Sequence, residues 1–140
     1  MGVSVTVYCE PVPKGRPRFH LVRGHVHTYT PAKTANYEKR IAEAWSKQAG
    51  FTFEKDIPLA VQIYFGMPIP KSTTKKRKIQ MIERCIGHTK KPDLDNLIKS
   101  VLDALNGVAF EDDSQIMRIS ASKYYTEYPC VNVYISEREE

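Results

Sequence analysis

The sequence has three cysteines, and no two stand at a CxxC spacing. Cys9, Cys85 and Cys130 are an odd, widely separated set, which argues against a disulfide scaffold and for reduced thiols in the interior of a cytoplasmic protein. His25 and His27 form the one close histidine pair and have no cysteine beside them, so zinc is not expected. No run approaches the roughly 18 apolar residues of a membrane span. Met1-Gly2-Val3-Ser4 lacks the basic-then-apolar start of a signal peptide, so no leader is expected. The seven glycines make no P-loop and no GxSxG elbow. Nor is there an internal repeat, a low-complexity tract or a linker. Residues 1–140 are therefore expected to be a single domain, long enough to bury a core without a staple.

What the chain does have is charge, unevenly placed. Residues 1–91 hold 17 Lys and Arg against 6 Asp and Glu, a balance of +11. Residues 92–140 hold 4 against 10, a balance of −6. A basic portion joined to an acidic one suits a surface that attracts a polyanion and a focus that attracts cations, with uneven surface decoration as the alternative.

Periodicity supplies the elements. Val3, Val5, Val7 and Cys9 alternate with polar residues, predicting a half-buried strand ended by Pro11 and Pro13. Lys14-Gly15-Arg16-Pro17-Arg18 sets three cations on a restrained backbone, a device for gripping phosphates, with a solvated loop as the alternative. Phe19 to Thr28 reads as a hairpin broken at Arg23-Gly24, its histidines plain polar strand residues. Thr30-Pro31 predicts a helix start with Thr30 at the N-cap; Tyr37, Ile41, Ala44 and Trp45 follow at helical spacing, Trp45 as a core anchor. Residues 59–65 alternate as a second strand, stopped by Gly66, Pro68 and Pro70. Ser72 is expected to cap a helix to about Cys85 with Ile79, Ile82 and Ile86 along its apolar edge. Its first turns carry Lys75, Lys76, Arg77 and Lys78, which oppose the helix dipole, so residues 71–91 are expected to move until phosphates neutralise them.

The best-patterned helix runs from Leu94 to Leu105, with Leu97, Ile98, Val101 and Leu102 completing one apolar stripe and Asn106-Gly107 as its C-cap. Residues 116–128 and 131–136 read as two strands about a turn at Tyr128-Pro129. The order predicts an α/β (α+β) fold, a mixed sheet packed against helices.

At the head of that helix stand Asp93 and Asp95, with Lys99 one turn on; Glu111-Asp112-Asp113 follows where the chain should turn back. Singly, each aspartate is explained by capping or turn chemistry. Together they are like charges that repel unless a cation lies between them. Carboxylate oxygens are what Mg2+ prefers, and it takes only one or two from protein. Asp113 can reach Asp93 and Asp95 if the chain runs back along the helix; alternatively another subunit supplies the partner.

Asp93-Leu94-Asp95-Asn96-Leu97-Ile98-Lys99, then Asp103-Ala104-Leu105-Asn106 and Glu111-Asp112-Asp113-Ser114-Gln115-Ile116, closely resemble the RusA family of Holliday junction resolvases. Pro11-Val12-Pro13-Lys14-Gly15-Arg16-Pro17-Arg18-Phe19 is similar to the opening of many phage and prophage members. The resemblance implies a homodimeric RusA-like fold and a Mg2+-dependent endodeoxyribonuclease of recombination and repair, with Mn2+ as a substitute ion. Such enzymes cut four-way junction DNA by symmetric paired incisions. Carried over, Asp93, Asp95 and Asp113 are the catalytic, metal-binding aspartates and Lys99 the catalytic lysine, with Asp112 a weaker candidate. Lys14, Arg16, Arg18, Lys71, Lys75, Lys76, Arg77, Lys78, Lys90 and Lys91 are the expected DNA-binding cations. The lysine-rich segment 71–91 is longer than in the compact family pattern. A metal nuclease acting on other branched nucleic acids and a non-catalytic nucleic-acid-binding module are the alternatives.

Overall fold

Val5 and Val7 turn inward from the first strand, β1 (Gly2–Val7), as a period of two requires. The computed structural model describes residues 2–16 and 18–137, and of Arg18 the backbone alone. A hairpin follows, β2 (Arg18–Val22) and β3 (His25–Tyr29), closed at Arg23-Gly24, where both residues take positive φ. Then come α1 (Ala32–Gln48), β4 (Leu59–Pro68), α2 (Lys75–Ile82), α3 (Leu94–Leu105), β5 (Ile116–Thr126) and β6 (Cys130–Glu137). Four strands form one mixed sheet in the order β1-β6-β4-β5, with β4 and β5 parallel and the other neighbours antiparallel. The hairpin β2-β3 is a separate ribbon.

The core lies where α1 and α3 meet the sheet. Tyr37, Ile41 and Trp45 come down from α1; Leu97, Val101, Ala104 and Leu105 come from α3. Val61, Ile63, Phe65 and Met67 of β4 and Val131, Val133 and Ile135 of β6 face them. Trp45 is the anchor its spacing predicts, fully buried with its indole N–H donating to the Phe51 carbonyl at 2.6 Å. The mixed sheet against helices is thus the expected fold class.

Several boundaries differ from the sequence reading, each for a local reason. The N-cap of α1 is Pro31, not Thr30, and it makes no side-chain capping bond. The N-cap of α2 is Thr74, not Ser72; its hydroxyl accepts from the Arg77 N–H at 3.3 Å. That helix ends at Ile82, leaves Ile79 and Ile82 exposed and buries Met81 instead. Cys85 lies on the surface, and Cys9 and Cys130 are half-buried rather than interior. The last two strands flank the expected turn but do not pair with each other, because β4 runs between them.

Gly66 does not stop β4; it pairs with Cys130 of β6 and Tyr124 of β5, and the strand continues to Pro68. A Cβ there would stand 2.7 Å from Thr126 Cγ2 and 2.9 Å from Cys130 Sγ. The strand tolerates this residue because the neighbouring side chains close over its bare Cα. Gly66→Ala is expected to lower stability by about 1–3 kcal/mol, the usual cost of overpacking. Urea unfolding checks this, and an unchanged midpoint would show that Thr126 and Cys130 yield freely.

Candidate active site

The buried face of α3 sets what its other edge presents. Leu97, Ser100, Val101, Ala104 and Leu105 face inward. Ser100, fully buried, donates from Oγ to the Val12 carbonyl at 2.7 Å, and the Lys14 N–H donates to the Asn96 carbonyl at 2.9 Å. These bonds stitch residues 12–14 to the helix and fix its rotation. Asp93, Asp95 and Lys99 are left on the exposed edge.

Asp93 is the N-cap residue, yet its carboxylate makes no capping bond. It accepts from Lys91 Nζ at 2.8 Å, and that bond holds its pKa below the ordinary carboxylate value. Asp95, in the first turn, accepts from the Asn96 N–H at 2.9 Å. Both acids suit the positive end of the dipole while keeping oxygens toward solvent.

Lys99 pairs forward with Asp103 at 3.0 Å, not back with Asp95. Asp103 in turn holds Lys14 at 3.1 Å, and Lys14 reaches Glu38 at 2.6 Å. Burial pushes the Asp103 carboxyl up, but hydrogen bonds from Lys99 and Lys14 outweigh it and bring it below its ordinary value. For Lys14, burial pulls down and the bonds to Glu38 and Asp103 raise it past its ordinary value. A cation expected to grip phosphate is therefore committed to two internal carboxylates.

Beyond α3 the chain turns at Gly107, whose φ of +79° any side chain would strain, and Phe110 bridges to Phe53 and Asn106. Asp112 then caps a short 3-10 turn, Asp113–Gln115. Gln115 is buried and fully used: its Oε1 accepts from the Glu111 and Asp112 N–H groups at 3.0 and 3.1 Å. Its Nε2 donates to the Glu54 and Ile57 carbonyls at 2.8 and 3.1 Å. The Asp112 carboxyl is drawn down by the Ser114 N–H, whereas a hydrogen bond shared with Asp112 pushes the Asp113 carboxyl up. Lys99 and Asp103 also bear on Asp113 in opposite senses, which sets it near the Lys99–Asp103 pair on α3.

Lys99, Asp103, Asp113 and Asp112 are thus neighbours, while Asp93 and Asp95 stand at the helix head. Among the described residues, no three His, Cys, Asp or Glu side chains gather closely enough to hold a metal ion. Two close carboxylates, exposed and rich in oxygen, nevertheless fit a hard divalent cation, which takes one or two protein carboxylates. Of the basic candidates, Arg16, Lys71, Lys75, Lys76, Arg77, Lys90 and Lys91 are exposed; Lys91 pairs with Asp93 and Lys78 lies 3.7 Å from Glu127. The Arg18 side chain lies outside the described residues, as does Pro17.

Sequence reasoning assigned no role to Asp103, Ser100, Gln115 or Glu38. The i,i+4 spacing of Lys99 and Asp103 was a usable signal for the first. The others depend on tertiary partners up to 88 residues away, as Ser100 and Val12 are.

Two curated relatives share most of this length. An uncharacterized protein YqaN of Bacillus subtilis (strain 168) is 38% identical over 136 residues, 96% of each chain. A crossover junction endodeoxyribonuclease rusA of Lactococcus phage r1t is 32% identical over 117 residues, 83% of this chain and 82% of its own. The family described as endodeoxyribonuclease RusA matches residues 9–136, which takes in β2 through β5, both aspartate clusters and Lys99. With that match and those relatives, the chain belongs to the RusA family of endodeoxyribonucleases.

Proposed function

We propose that this endodeoxyribonuclease resolves four-way DNA junctions by metal-dependent hydrolysis, acting as a homodimer that makes paired, symmetric incisions. The observation that carries the reading is that Asp113, with Asp112 next to it in the chain, lies near the exposed Lys99 and its partner Asp103 on α3. Adjacent carboxylates repel one another unless a proton or a cation lies between them. Asp93, Asp95 and Asp113 are the residues proposed to hold Mg2+, with Mn2+ as substitute and Asp112 at hand; the three do not gather by themselves, so the helix head and the acidic turn would have to draw together around the ion. When bound, the ion would supply a water of lowered pKa and charge for the phosphoryl oxygens.

The chain's own residues account for the rest. Lys99 sits beside Asp113, exposed enough to swing from Asp103 to a scissile phosphate and stabilise its developing charge. Asp103, itself held by Lys14, keeps the lysine ready in the meantime. Exposed Arg16, Lys71, Lys75, Lys76, Arg77 and Lys90 would contact backbone phosphates, so junction affinity should fall steeply with salt.

A junction offers two symmetry-related strands, which a two-fold enzyme meets with one site each. Exposed apolar residues suit a second copy: Phe19, Leu21 and Val26 on a two-stranded ribbon that is marginal alone, and Met117 on β5.

The test is cleavage of a synthetic four-way junction with Mg2+ and with EDTA, incisions mapped on all four strands. Paired cuts on opposing strands, lost in EDTA, are expected. Cutting that persists in EDTA would overturn the metal mechanism, and equal cutting of flaps, duplex or RNA would overturn the junction as substrate.

A further inference from the structure

Three consecutive residues of β5 grip the segment that leads into α3. Lys123 donates from Nζ to the carbonyls of Lys90 and Pro92, each at 2.8 Å. The Tyr124 ring lies 4.0 Å beneath the Arg84 guanidinium, which also reaches over Tyr64. The Tyr125 ring meets His88 at 4.7 Å between centroids.

Strand alternation puts these grips on both faces of the sheet. Lys123 and Tyr125 are registered with Phe65 and Met67, whose side chains face the core; Tyr124 is registered with Gly66, on the opposite face. Since β5 is an edge of the sheet, residues 84–92 pass from one face to the other around that edge.

Within this clamp Lys123 is spent in an unusual way. An ammonium has three N–H donors, and here two of them go to main-chain carbonyls. Among the described residues it makes no ion pair with a carboxylate. A charge-assisted bond is stronger than a neutral one, so two such bonds fix the backbone more firmly than a neutral donor could. The residue after Pro92 is Asp93, whose own carbonyl accepts the Leu97 N–H at 3.2 Å as α3 begins.

We infer that Lys123 is a positioning residue for the active site: by holding the carbonyls of Lys90 and Pro92 it fixes where Asp93 presents its carboxylate. This rests on the reading of Asp93 as a metal-binding residue. It assigns work to a lysine that lies outside both aspartate motifs.

Lys123→Met keeps the aliphatic stem and removes the donors, while Lys123→Arg keeps a cation that can bridge two carbonyls. Both are compared with the unmodified full chain. In the absence of metal, hydrogen exchange of the amides of residues 88–97 should quicken by about tenfold in K123M, as local opening becomes easier. Exchange in β4 and β6 should be unchanged, which separates a local loosening from a failure to fold. The Mg2+ concentration for half-maximal cleavage should rise by about tenfold, the usual cost of losing a group that orients a ligand. Junction affinity measured in EDTA should stay within about twofold, because the phosphate-facing cations are untouched. K123R should recover both the exchange protection and much of the Mg2+ response.

Unchanged exchange at 88–97 in K123M overturns the inference. So does a weakened junction affinity with an unchanged Mg2+ requirement, which would make Lys123 a DNA contact. If the unmodified protein cuts no junction in any metal, the proposed function fails and the inference falls with it. An active parent beside a K123M variant with the same Mg2+ response sinks the positioning role alone.

Discussion

Asp95→Asn is expected to reduce four-way junction cleavage by about 10²–10³-fold or more, the range seen when a group stabilising transition-state charge is removed. The substitution is nearly isosteric. The new amide oxygen can still accept from the Asn96 N–H, the one hydrogen bond the carboxylate makes among the described residues. What it loses is the negative charge and the second hard oxygen, the two properties a divalent ion needs. Stability should change little, since Asp95 is exposed and acids in a first helical turn contribute only about 0.3–1 kcal/mol. Junction affinity should hold within about twofold, because that term comes from neutralised phosphates and the cations near α2 are untouched. Single-turnover cleavage in saturating Mg2+, with a gel shift in EDTA alongside, separates the two effects. Full cutting by D95N with Mg2+ present would remove Asp95 from the mechanism.

The helix that carries this residue was the most legible part of the chain, because an apolar stripe records which way a helix faces. Leu97, Val101 and Leu105 are buried as their spacing predicts, and α3 has the predicted ends. Yet the inward face also holds Ser100, a polar residue no periodicity argument would choose. It is there because the Val12 carbonyl needs a donor, a demand written 88 positions away. The same limit explains Lys14. Three cations in a short loop read naturally as a phosphate grip, but whether a lysine faces solvent or Asp103 depends on how two distant elements pack.

Strand ends and strand pairing were less legible still. A glycine among prolines looks like a stop, and Gly66 continues the strand only because β5 and β6 flank it closely on both sides. A turn at Tyr128-Pro129 suggests a hairpin, but β4 takes the space between β5 and β6, and its parallel partner β5 is reached only after two helices. The carboxylate clusters were visible as composition; their relation was not. That Asp113 settles beside Lys99 and Asp103 follows from the turn at Gly107 and from Gln115, neither of which announces its direction in sequence.

Gln115→Leu is expected to cost about 2–4 kcal/mol, and to depress junction cleavage beyond what the lost stability explains. The amide satisfies two N–H groups of the acidic turn and two carbonyls of residues 54–57, all with one buried side chain. Leucine fills the volume and answers none of them, and each buried group left unmet costs about 1–3 kcal/mol before solvent relieves it. The loss should appear as a fall in melting temperature of about 10 °C for a domain of this size. Cleavage assayed well below that temperature should still drop by about tenfold or more, since small misplacement of a catalytic group is enough. Gln115→Glu sharpens the argument. It keeps the acceptor for Glu111 and Asp112 but turns an ionised oxygen toward the Glu54 and Ile57 carbonyls, so the folded state raises the new carboxyl's pKa. A raised acid pKa means the folded protein binds more protons, and stability therefore falls as pH rises past about 4.3, the unfolded value. Q115E should consequently match the parent more closely in mild acid than at pH 8, while Q115L should show no such gain. Urea melts of both variants across that range decide the matter: a Q115E penalty that does not grow with pH would mean the amide's two donors are not what ties the acidic turn to residues 54–57.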